Sequence, residues 1–175
     1  MHAHNPDQIF TGVLKYLGFD KSYFVNTNTH AYAHYVCDIE KTTLIDLGKY
    51  LCDKIGLNGF RYIGNPNMEV KKIAFIGHLY PDRFDVEYST HCIKEFINNN
   101  VDVVLPLETI DWTIASYIRD GNQLGKKIGM LSCGHFNIEE LGMKYLAQQI
   151  KGLVKEINIE YVASEDIYDY YKKGE

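Results

Sequence analysis

Apolar positions recur along this chain with two periods, one near three and a half residues and one of two. The switches between them mark its elements. Residues 5–17 carry an apolar stripe at Ile9, Val13, Leu14 and Leu17, behind Asn5 as N-cap, Pro6 at the first helical position and Gln8 three residues after the cap. Gly18 is a fitting stop. Residues 22–26 and 32–40 read as extended and rich in Tyr, Phe and Val, and residues 43–55 as a helix with Thr42 or Thr43 as cap and Gly56 after it. The pattern then repeats. Strands are predicted at 60–63, 70–76, 101–105, 128–132 and 158–162, with a turn at Asn65-Pro66. Helices are predicted at 86–98, at 109–120 closed by Gly121, and at 137–157 with Asn137 as N-cap. The order β-α-β-α-β-α-β predicts an α/β fold, a largely parallel or mixed sheet in a layered α/β/α arrangement. Residues 164–175 are polar and rich in tyrosine, expected to be frayed or docked on a neighbour.

Composition narrows this further. With 175 residues and 46% apolar content, the chain suits one packed domain spanning residues 1–175. A formal charge of −5 without a basic cluster gives no footprint for nucleic acid. No apolar run approaches membrane-spanning length. The four cysteines are scattered without a CxxC pair, which favours reduced thiols and a cytoplasmic protein. Fourteen tyrosines and eight phenylalanines suit a core or an oligomer interface.

Candidate chemistry concentrates where the 128–132 strand gives way to a helix. Gly134-His135 ends the apolar run, and Glu139 follows one helical turn later. The carboxyl end of a strand in an open α/β sheet is where ligands usually bind. An imidazole and a carboxylate at that spacing suit a shared divalent metal. The structural alternative is that Glu139 complements the helix dipole and His135 satisfies backbone groups. Glu108, at the carboxyl end of the 101–105 strand, either faces the same cleft or caps the next helix. His78 and His91 flank a segment with Asp82, Asp85 and Glu87, read either as a metal or phosphate loop or as a solvated polar one. His2 and His4 precede the first helix, as ligands if the N-terminus folds over the cleft and as solvated side chains otherwise. His30 and His34 are separated by an extended backbone. Cys133 is either a nucleophile or a small buried residue. No nucleophile elbow, phosphate loop or dinucleotide fingerprint is present.

LSCGHFNIEELGMKYLAQQI (131–150) resembles the C-terminal signature of the Nif-three-like proteins, also known as GTP cyclohydrolase I type 2 homologs or dinuclear metal centre proteins. The order of the other segments is collinear with that family: MHAHNPDQIFTGVLKYLGF (1–19), residues 43–77, and DVVLPLETIDWTIASYIRDG (102–121). The resemblance implies that His135 and Glu139 are ligands of a paired metal site, with His2 standing where a ligand Asp is usual. It also implies a further N-terminal portion with an adjacent His pair, for which this chain has no counterpart. Leu107 stands where Gly precedes the Glu, and Gly77-His78-Leu79-Tyr80 replaces a glycine-rich loop.

The expected function is therefore a metal-binding, hydrolase-like protein acting on a small molecule. The metal is zinc, iron or manganese, held by His135, Glu139 and His2, with Glu108 or His78 moving protons. The resemblance further implies a homo-oligomer, a toroidal hexamer. The competing expectation is a non-catalytic oligomeric or regulatory module whose incomplete ligand set holds no metal.

Overall fold

Strand β4 (Glu69–Leu79) shows why this sequence makes a sheet with helices on both faces. Ile73 and Phe75 point into one apolar core and Ala74 and Ile76 into a second, all four buried. A strand buried on both faces reads as a continuous apolar run, as this one does. The computed structural model describes residues 8–19, 22–25, 34–79, 93–94, 100–109 and 111–171.

Among these residues the sheet has six strands in the order β1 (Ser22–Val25), β2 (His34–Thr43), β4, β5 (Val103–Thr109), β6 (Gly129–Ser132) and β3 (Arg61–Ile63). β4, β5 and β6 run parallel; β1, β2 and β3 pair antiparallel with their neighbours. The sheet is thus mixed, as predicted. The first core packs α1 (Gln8–Tyr16), α2 (Leu44–Ile55) and α4 (His135–Leu153) on one face of the sheet. On the other, α3 (Ser116–Gln123) and the π-helical turn Asp111–Ala115 bring Ile114, Ala115 and Ile118 onto Val104 and Met130. That is the layered α/β/α arrangement.

Local chemistry sets the element ends. The Thr43 side chain accepts from the Asp46 amide and caps α2. The Asp102 carboxylate accepts from the amides of Lys71 and Lys72 at 2.8 and 2.9 Å, which ties the start of β4 to the start of β5. α1 and α4 touch backbone to backbone. A Cβ on Gly142 would lie 2.6 Å from the Ile9 carbonyl oxygen, and one on Gly12 would lie 2.9 Å from the Gly142 Cα.

Several expectations are corrected. β4 continues through Gly77 and His78, and β5 through Pro106, because the two strands stay paired as far as Leu79 and Thr109. The β5–β6 ladder ends at Val104–Met130, so from there β5 carries its proline with one fewer ladder to serve. Gly121 lies inside α3; the helix is closed by Gly125 (φ 85), whose amide and that of Lys126 bond back to Asn122 and Gly121. α4 ends at Leu153, and no strand forms at 158–162. Residues 154–171 run irregularly over α4 and the 58–60 loop of their own chain. The predicted helix at 86–98 lies outside the described residues except Ile93 and Lys94, which are helical. No helix among the described residues is long and apolar enough to cross a membrane.

Candidate functional site

The parallel strands β4, β5 and β6 end at one edge of the sheet, and His78, Glu108, His135 and Glu139 belong to the segments that end or begin there. Glu108 is the penultimate residue of β5, and His78 lies opposite it in the β4–β5 ladder. β6 leads through Cys133 and Gly134 directly into α4, whose first residue is His135. Gly134 makes the turn with φ 87 and ψ 140, a conformation that side chains disfavour. Glu139 follows one turn along the helix, on the same face as His135.

His135 is held between two carboxylates. Its Nδ1 lies 2.9 Å from Glu108 Oε1 and its Nε2 lies 3.0 Å from Glu139 Oε1. Burial alone would lower the imidazole pKa, but the hydrogen bonds and charges of Glu108 and Glu139 outweigh it and hold the pKa above the ordinary 6.5. The His135 and Glu139 side chains are 27% and 26% exposed, and that of Glu108 is 46% exposed. Ion pairs this open to solvent contribute only about 0–1 kcal/mol each to stability. Their number and placement are better explained by orientation of the ring than by stability.

The three residues differ in how they would meet a metal. Donor atoms 3.0 Å apart, as in His135 Nε2 and Glu139 Oε1, have the separation of neighbouring ligands about one ion with bonds near ~2.1 Å. Glu108 grips the other ring nitrogen, the position of a carboxylate that fixes the orientation of a ligating histidine. Among the described residues, no group of three or more His, Cys, Asp and Glu side chains is arranged to hold an ion. The described residues would offer two ligands with a supporting carboxylate, fewer than a full ligand set.

Glu108 and His135 border a cleft of 610 Å³, lined also by Arg61, Asn137, Tyr168 and Tyr170, while Glu139 lines a neighbouring pocket with Phe136, Glu140 and Tyr161. Asn137 is not the N-cap that its position suggests. It lies in the first turn of α4, 3% exposed, and its Nδ2 donates to the Cys133 carbonyl at 3.0 Å and reaches Asp166 Oδ1 at 3.4 Å. Cys133 is buried, which pushes its thiol pKa up to about 12 and suits the small-residue reading. His2, His4, His30, His91 and the Asp82–Asp85–Glu87 segment lie outside the described residues. The reading of the sequence missed Arg61, Tyr168 and Tyr170, which no local motif marks.

The sequence profile of the Duf34/NIF3 (NGG1p interacting factor 3) family matches residues 5–169. The chain belongs to this family. Solved structures with the NIF3 fold agree with that assignment. A Bacillus cereus protein related to NIF3 is 16% identical with a TM-score of 0.56, over 78% of this chain and 35% of that one. Reduced HcgD from Methanocaldococcus jannaschii is 10% identical with a TM-score of 0.57, over 83% of this chain and 52% of that one. A Thermus thermophilus protein is 12% identical with a TM-score of 0.57, over 93% and 58%. At these identities the likeness shows the NIF3 fold alone. The chain spans about a third to three-fifths of the length of these structures. No curated protein matches it.

Proposed function

We propose that this NIF3-family chain binds a divalent metal through His135 and Glu139 and has a hydrolase-like function on a small molecule in the adjoining cleft. One observation carries the reading: His135 Nε2 and Glu139 Oε1 lie 3.0 Å apart, with Glu108 on the opposite ring nitrogen. Zinc, iron and manganese all suit imidazole and carboxylate donors. His2, matched to a family ligand position, is proposed as a third donor. A bound ion would polarise a carbonyl or phosphoryl oxygen and lower the pKa of water.

The protein's own groups have separable roles. Glu108 holds the Nδ1 proton and fixes which ring nitrogen faces Glu139. Glu108 and His78, opposite one another in the β4–β5 ladder, are the candidates for proton transfer. We extend the proposal to a cytoplasmic homo-oligomer, a hexamer on the family resemblance. Exposed aromatic residues such as Trp112 (75% exposed) support the oligomer, and the scattered cysteines without a CxxC pair support the cytoplasmic setting.

A second reading is favoured by the same trio. Both nitrogens of His135 already have carboxylate partners, an arrangement that satisfies itself as an imidazolium without any ion. On that reading the chain is a non-catalytic module. Metal analysis of the purified protein beside His135→Ala separates the two. More metal in the wild type than in the variant supports the site, and equal content overturns it.

A further inference from the structure

Residues 154–171 hold the candidate cleft from the outside, yet none of them is fully buried and only Val154, Ile159, Tyr161 and Asp166 are half-buried. Ile167 and Tyr168 contribute to the cleft wall while remaining 59% and 60% exposed. A segment with so little apolar burial is held largely by its hydrogen bonds, which have two anchors: Glu140, bonded by Ser164 and Tyr161, and Asp166, beside the cleft. Asp166 Oδ2 accepts from the Asn58 amide at 2.9 Å, and Asp166 Oδ1 accepts from the Tyr168 amide at 3.1 Å. The same Oδ1 meets Nδ2 of the buried Asn137, two residues along α4 from His135, at 3.4 Å. Asn58 returns a bond from its side chain to the Tyr168 carbonyl at 3.1 Å. Further back, the Ser164 amide donates to Glu140 Oε1.

We propose that residues 158–171 form a strap latched by Asp166, and that its release opens the His135 cleft to ligands. One carboxylate joins three pieces of the fold: the loop before β3, the first turn of α4 and the strap itself. Breaking that junction removes the bonds that tie the start of the wall formed by residues 167–170 to the Asn58 amide and to Asn137, at little cost in apolar burial. The strap thereby sets how often the cleft is open. The inference rests on the proposed cleft as a site, but not on a metal within it.

The test uses the full chain stripped of metal, so that failure of metal binding and failure of the strap are read separately. Two rates are measured in the wild type, Asp166→Ala and Asn58→Ala: hydrogen exchange of residues 158–171, and carbethoxylation of His135 mapped by mass spectrometry. Asn58→Ala loosens the strap from a loop that does not carry His135, and circular dichroism confirms that each variant is folded. Both rates are expected to rise together by about tenfold, as for the loss of one or two net hydrogen bonds. Faster exchange without faster modification of His135 would show that the strap does not gate the cleft. Unchanged exchange in both folded variants would show that Asp166 is no latch. Either result overturns the proposal.

Discussion

Glu108 Oε1 sits 2.9 Å from Nδ1 of His135, joining the end of β5 to the first residue of α4. The bond leaves Nε2 directed at Glu139, so the histidine is oriented before any ligand arrives. The same bonds favour the protonated ring and raise its pKa despite burial.

The first prediction follows from that raised pKa. The folded value lies above the unfolded one of about 6.5, so the contribution of the His135 shift to stability is present below about pH 6.5, while its carboxylate partners stay ionised, and is lost as pH rises through the folded value. NMR titration of the metal-free protein should place the His135 midpoint above 6.5, and Glu108→Gln should lower it. A wild-type midpoint at or below that value would contradict the geometry.

If His135 binds metal as proposed, proton and ion would compete for Nε2, and metal affinity should increase with pH until His135 has lost its proton and level off above that point. Competition titrations with a coloured chelator at several pH values read this directly. An affinity that does not change across the His135 titration means that the ion binds elsewhere.

The contact of α1 with α4 predicts opposite effects for two glycines of one helix. Gly142→Ala drives a Cβ to 2.6 Å from the Ile9 carbonyl oxygen, which backbone cannot yield cheaply. A loss of roughly 1–3 kcal/mol is expected in urea denaturation. Gly152, near the end of α4, has nothing within 4 Å of such a Cβ. Gly152→Ala should stabilise by up to about 0.5–1 kcal/mol, from the reduced freedom of the unfolded chain.

Gly134 tests how the site is aimed. An alanine there must hold φ 87 with its Cβ 3.1 Å from Asn137 Nδ2. The strain, about 1–3 kcal/mol, is expected to shift the first turn of α4 and weaken the hold of Glu108 on His135. Gly134→Ala should therefore lower both the melting temperature and the His135 NMR midpoint. A lowered melting temperature with an unmoved midpoint would mean that the turn supports the fold but does not aim the histidine.

Much of this architecture was legible because its signals are local. The stripe Leu44, Leu47, Leu51 between Thr43 and Gly56 specifies α2 without reference to the rest of the chain. The run 128–132 ending at Gly134-His135 marks β6, the turn and the start of α4 in the same way. Where the reading went astray, a local signal had two spatial meanings. Ile159 and Tyr161 alternate with exposed residues as in a strand, but they are half-buried against α4, with no strand partner among the described residues. Asn137 has the residue type of an N-cap, yet Gly134 turns the chain earlier and leaves Asn137 buried in the first turn.

By itself, then, the sequence determined the α/β class and the helices of the first core, and it marked His135 and Glu139 as candidate partners where a strand gives way to a helix; that the helix begins at His135, which sets the two on one face, came from the structure. The sequence also marked Glu108 as lying at the end of a strand. Only the tertiary structure decided that Glu108 faces His135, that Gly12 and Gly142 let two helices touch, and that Asp166 bonds to both Asn58 and Asn137. Each of these depends on segments far apart in sequence. Their meeting follows from strand order and helix packing, which periodicity within a segment does not encode.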